Sequence, residues 1–193
     1  MLARVNACAV IGLDGVIVDV EVDITTSIPK PPMIIVGLPD ISVQESRERV
    51  QSAIRNAGLE PPRKRVRVNL APATVRKEGS AYDLPIALGM LLANRQLPPS
   101  CLNESIVMGE LSLDGSVRHM RGVLPMAAVA RREGYKRVFV PAEDAREAAL
   151  FPELEVIPVT SLSDLYAHLI GSRPIKPHPH IEVDQVPVVV QTD

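Results

Sequence analysis

Residues 66–92 read VRVNLAPATVRKEGSAYDLPIALGMLL, and the change of period inside this run decides the fold. Val66, Val68 and Leu70 alternate with Arg67 and Asn69, which predicts a strand with one apolar and one polar face. Pro72 ends the strand, and a polar loop follows through Arg76, Lys77, Glu78, Gly79 and Ser80. Leu84, Leu88, Leu91 and Leu92 then recur at helical spacing, with Ile86, Ala87 and Met90 widening the stripe. Ser80 and Asp83 have the spacing of a capping box, yet a helix starting there would carry Pro85 too deep. A start near Asp83 keeps Pro85 in the first turn. The stretch therefore runs from strand through a glycine-containing loop to a helix N-terminus, where free N–H groups suit an anion or an oxyanion.

Upstream, Arg63, Lys64, Arg65 and Arg67 form the densest basic run; with Arg76 and Lys77 beyond the far end, six cations bracket one strand. Clustered Lys and Arg meet nucleic-acid phosphates whatever the overall charge, although no aromatic residue is interleaved to stack bases. The alternative is ordinary solubilising charge on a half-exposed strand. Before this run, Asp40 is expected to cap a helix reaching Ala57, with Val43, Val50, Ile54 and Ala57 inward and Gly58 as its stop. Gln44, Arg47, Glu48, Gln51 and Arg55 form its solvated face. A short strand, 33–36, follows a proline-rich break at 28–32. Residues 1–24 read as a β-hairpin, with strands 4–11 and 16–24 around a turn at Leu13, Asp14 and Gly15. Asp19, Glu21 and Asp23 share one face of it; a wet sheet face explains them, since no further ligand stands nearby to complete a metal shell.

Downstream, a loop over 94–103 leads to a strand over 105–113 and a turn at Asp114 and Gly115. Helices are expected over 122–132 and 142–150, strands over 135–140 and 155–159, and a last helix from Ser161 or Ser163 to Ile170. This alternation is that of βαβ units. His119 lies near Arg118 and Arg121 with no activating partner visible in the sequence. After Gly171, prolines 174, 177, 179 and 187 punctuate a polar tail, so residues 1–172 read as one domain and 173–193 as a linker. His178 and His180 alone make no metal site.

Hydrophobic residues make up 46% of the 193, with no Trp and two Phe, so an aliphatic core in an α/β arrangement is expected. The net charge of −2 means that any nucleic-acid contact rests on a local patch. Cys8 and Cys101 offer neither a disulfide framework nor a metal pattern, and with no long apolar run a soluble cytoplasmic protein without membrane contact is the expectation.

The run VNLAPATVRKEGSAYDLPIALGML, residues 68–91, resembles the N-terminal domain of the Mg-chelatase-like AAA+ ATPases, the ComM/YifB competence-protein family. The resemblance extends over roughly residues 1–170. It implies a Lon protease proteolytic-domain-like fold: α/β (α+β), with a mixed sheet, an N-terminal hairpin and later βαβ units. Lon-type proteases use a Ser–Lys dyad. Aligning Gly79 with the glycine before the nucleophile puts Ala81 at the serine position. Aligning the run from Gly109 to Gly115 puts Leu124 at the lysine position. Ser80 is one residue out of register and Lys77 lies upstream, leaving these two as the residual candidates for chemistry. The resemblance further implies a ring, a hexamer in the full-length protein, with DNA as a possible partner in natural transformation, helicase or branch-migration work. ATP and Mg belong to an AAA+ module expected to follow, because the chain has no G-x-x-x-x-G-K-[S/T] run. The implied role is a non-catalytic binding and assembly domain; a Lon-type peptidase with a rearranged site, Ser80 with Lys77 or His119, is the alternative. A chelatase subunit is a third reading, for which the sequence offers no porphyrin or metal site.

Overall fold

The computed structural model describes residues 1–26 and 33–182. The proline-rich break and residues 183–193 of the expected linker lie outside them.

The hairpin is longer than its sequence signals. Strands β1 (Leu2–Ile11) and β2 (Asp14–Thr25) pair along their whole length, from Leu2 opposite Asp23 to Ile11 opposite Asp14. The turn is Gly12–Leu13 rather than 13–15: Gly12 takes φ of +65°, so it supplies the positive φ that a two-residue hairpin loop needs. Strand β3 (Ile34–Val36) leads through Gly37 to helix α1 (Ile41–Asn56). A Cβ on Gly37 would lie 2.1 Å from the Leu70 carbonyl oxygen, and its φ is +106°, so only glycine fits there. Asp40 caps α1 as expected, its Oδ1 accepting from the Val43 N–H at 2.7 Å.

Strand β4 (Arg65–Ala71) buries Val66, Val68 and Leu70 and turns Arg67 outward. Helix α2 (Asp83–Ala93) starts at Asp83, with Pro85 in its first turn. Where the leucine spacing predicts a stripe, every residue of α2 is buried. The reason is position: α2 packs against β1, β2 and α1, and Gly89 lets it approach so closely that a Cβ there would meet Val22 at 2.5 Å.

The expected strand over 105–113 is broken in two, β5 (Ser105–Val107) and β6 (Glu110–Leu111), and β6 pairs with β7 (Val117–Arg118). The break falls at Gly109, whose N–H bonds the Ala81 carbonyl at 3.2 Å and whose carbonyl accepts from the Leu84 N–H at 3.0 Å. The start of α2 thus captures the backbone that would have continued the strand. Helix α3 (Val123–Arg132), strand β8 (Arg137–Pro141), the short helix α4 (Ala145–Ala148), strand β9 (Glu155–Val159) and helix α5 (Leu162–Leu169) complete the chain. The expected helix over 142–150 begins as a 3₁₀ turn, Ala142–Asp144. Ser161, not Ser163, caps α5.

Seven strands form one mixed, mostly parallel sheet in the order β3-β4-β2-β1-β5-β8-β9. Helices α1, α2 and α5 bury an aliphatic core on one face; α3 and α4 bury a second on the other. Residues 173–181 stay on this body: the Ile175 N–H bonds His168 Nδ1 at 2.8 Å, His178 N–H the Val156 carbonyl at 2.8 Å, and Ile181 N–H the Ala149 carbonyl at 3.1 Å. Among the described residues no helix is long and apolar enough to cross a membrane.

Candidate functional site

The loop between β4 and α2 is held from beneath. The Lys77 N–H bonds the Leu38 carbonyl at 3.0 Å, the Asp40 N–H bonds the Lys77 carbonyl at 2.9 Å, and Asp40 Oδ2 accepts from Gly79 N–H at 3.1 Å. One carboxylate therefore caps α1 and pins the loop. The Lys77 side chain is wholly buried and its ammonium donates to the Pro72 carbonyl. Burial pushes its pKa down.

Above this loop opens a cavity of about 860 Å³. Its walls are the end of β1, residues 74–76 and 78–82, Glu110 and the turn from His119 to Gly122. The Ser80 hydroxyl donates to Glu110 Oε2 at 2.5 Å, and Glu110 also lies 4.0 Å from Arg118 Nε. The His119 ring meets Asp144 Oδ1 through Nδ1 at 2.5 Å; Asp144 is 2% exposed, and its Oδ2 accepts from the Met120 N–H at 3.0 Å. A buried carboxylate thereby fixes the orientation of a half-exposed imidazole. Ser80 and His119 share the cavity, yet Ser80 is engaged by a carboxylate and not by His119. The floor is inert: desolvation pushes the Cys8 thiol up to about 12 and raises the Tyr82 phenol, whose buried hydroxyl has no hydrogen-bond partner among the described residues.

A second polar cluster leaves the same turn in the opposite direction. Asp83 is fully buried and accepts from Ser46 Oγ at 2.5 Å, Arg49 Nε at 2.7 Å and the Leu111 N–H at 3.1 Å. Burial raises its carboxyl, and hydrogen bonds from Arg49 and Ser46 oppose that rise. Neither Ser46 nor Arg49 stands out in the sequence; the available signal is one acid at the start of an otherwise apolar helix.

The six cations around β4 do not form one surface. Arg67 stands opposite Asp23 on the sheet face and is exposed, while Arg65 is half-buried opposite Thr25. Arg63 pairs with Glu60 at 3.4 Å, and Lys64 is exposed. Arg76 lies a strand's length away, about 20 Å along β4, at the cavity wall, paired with Glu78 at 3.3 Å. Lys77 is buried and presents no charge to a partner. Ala81 lines the cavity; Leu124 sits half-exposed in the first turn of α3. The acids of β2 have local partners: Asp19 accepts from Asn6 at 2.6 Å, and Glu21 from Asn69 at 2.9 Å and Arg4 at 3.4 Å. Among the described residues no group of three or more His, Cys, Asp or Glu could hold a metal ion.

Residues 20–144 match the family model described as subunit ChlI of Mg-chelatase. An uncharacterised protein of Mycobacterium tuberculosis is 44% identical over 171 residues, 89% of this chain and 34% of its own length. Protein YifB of Salmonella typhimurium is 38% identical over 91% of this chain and 34% of its own length. Competence protein ComM of Haemophilus influenzae is 37% identical over 89% of this chain and 33% of its own length. More distantly, Lon protease 2 of Bacillus subtilis is 27% identical over 94% of this chain and 35% of its own. The chain thus spans about a third of the length of the curated relatives it matches.

Proposed function

The chain belongs to the Mg-chelatase-like family that includes YifB and the competence protein ComM, and on that premise we propose that it is a non-catalytic binding and assembly domain of a longer AAA+ ATPase. The longer protein acts in DNA processing as a cytoplasmic ring, with ATP and Mg held by a module outside this chain. The observation that carries the non-catalytic reading is Lys77: the only lysine in the 72–80 loop is wholly buried on the Pro72 carbonyl. A Ser–Lys dyad needs a lysine within hydrogen-bond reach of its nucleophile. The register that the Lon resemblance implies puts Ala81 and Leu124 at the dyad positions, and neither supplies such a group.

The DNA-facing part of the proposal rests on Arg63, Lys64, Arg65 and Arg67, with Arg76 as a separate contact at the cavity. Replacing Arg63, Lys64, Arg65 and Arg67 together by Gln is expected to weaken duplex binding and to lower the salt slope by ~0.9 for each lost phosphate contact. Unchanged affinity and slope in a salt titration would remove these residues from any DNA interface.

One observation favours a second reading, a peptidase. Ser80 and an imidazole oriented by Asp144 line one cavity, the components of a Ser–His–Asp arrangement. The Glu110 carboxylate on Ser80 weighs against it, because that hydroxyl is not presented to His119.

A further inference from the structure

We propose that the cavity is a docking groove for an extended peptide segment, which adds to the free edge of β1 and places an acidic side chain at the start of α3. The proposal rests on the non-catalytic reading, since the segment is held and not cut.

The first support is a mismatch in the sheet. Strand β1 pairs with β2 over all ten residues but with β5 only where Asn6 meets Ile106. Past Val107 no further residue pairs with β1: Met108 stays with β8, its N–H on the Phe139 carbonyl at 3.0 Å, and the Gly109 N–H bonds the Ala81 carbonyl at 3.2 Å. The end of β1, from Cys8 to Gly12, is left along the cavity wall. Because the hairpin loop has two residues, Ile11 and Asp14 form its closing hydrogen-bonded pair. Alternation then turns the N–H and C=O of Val10 away from β2, on the edge where β5 joins at Asn6. A free strand edge beside an open cleft is a template for one more strand.

The second support is the chemistry of the rim. Val10 and Ile11 expose 37% and 48% of their surface there, apolar contacts for alternate side chains of an added strand. The charges are unbalanced. Glu78 is taken by Arg76, and Glu110 by Ser80 and Arg118. Arg121 lines the cavity with no ion pair among the described residues, beside His119. Helix α3 begins at Gly122 with no side-chain cap and no acid in its first turn. A carboxylate on the incoming segment answers both the free guanidinium and the uncapped N–H groups.

The test uses the full chain and a positional-scanning set of fluorescein-labelled octapeptides, valine alternating with a varied residue, read by fluorescence anisotropy. Saturable binding with a preference for Glu or Asp at one position is expected. Val10→Pro removes the outward N–H without touching the β1–β2 ladder, and should weaken binding by up to about tenfold, the loss of one hydrogen bond. Methylating alternate peptide amides should do the same. Arg121→Glu, on the rim, should switch the preference from acidic to basic, and it keeps the test decisive if Val10→Pro lowers the melting temperature. No saturable binding, an unmoved preference in Arg121→Glu, or displacement of the peptide by duplex DNA overturns the groove. Mass spectrometry of the bound peptide separates the two claims. Binding with cleavage refutes the non-catalytic reading and leaves the groove; no binding and no cleavage refutes the groove alone.

Discussion

Two polar clusters leave the turn from Ser80 to Asp83, and they are built oppositely. Asp83 points between α1 and α2, is sealed from water and is met by donors from three residues. Ser80 faces a large cavity and is met by one half-exposed carboxylate, with His119 and Arg121 around it. The closed cluster is a structural joint, because a buried carboxylate without its donors is strongly unfavourable. The open one keeps polar groups reachable, which is what recognition needs. The lesson is that identity of residue type does not distinguish the two: burial and completeness of hydrogen bonding do.

The largest effect is expected on the closed side. Asp83→Ala leaves Arg49, Ser46 and the Leu111 N–H without their acceptor, and should cost about 3–5 kcal/mol in urea unfolding. A loss below 1 kcal/mol would mean that water reaches the joint. Arg49→Met should cost nearly as much at neutral pH and steepen the pH dependence of stability. Desolvation already holds the Asp83 carboxyl above its ordinary value, and losing the guanidinium removes the largest effect opposing that rise. The variant then holds its stability below the unfolded pKa, about 4, and loses it as pH rises through the folded value. Unfolding curves at acid and neutral pH check the sign.

On the open side, Ser80→Ala should change stability by no more than about 0.5 kcal/mol, because Glu110 is partly solvated and water replaces the lost hydroxyl. The smallest effect sharpens the picture of the cavity floor. Cys8, with its thiol pushed up to about 12, should resist iodoacetamide at pH 8, while half-buried Cys101 reacts first. Peptide mapping after brief alkylation reads the order.

Much of the fold is legible in the sequence because local signals agree. The alternation of Val66, Val68 and Leu70, the Asp40 cap and Pro85 in the first turn of α2 each set an element boundary by local chemistry. Non-local capture is not legible. The strand over 105–113 reads as continuous, and only the packed α2 N-terminus shows why Gly109 breaks it. The hairpin turn shifts to Gly12–Leu13 because pairing over the full strand length outweighs the Asp14–Gly15 turn signal. In the site, the sequence brings Ser80, Lys77 and Ala81 into view but not Glu110, Asp144 or Arg49 as partners, since those contacts span 25 to 34 residues. Lys77 illustrates the limit: a lysine in a polar loop reads as exposed charge, and the fold buries it.

On the proposed function, the open cluster binds without performing chemistry. The most direct measurement is intact-protein mass spectrometry after incubation with a serine-directed fluorophosphonate, alongside Ser80→Ala. An unmodified mass is expected in both proteins. A stoichiometric adduct on the parent chain that maps to Ser80 and vanishes in Ser80→Ala would contradict it.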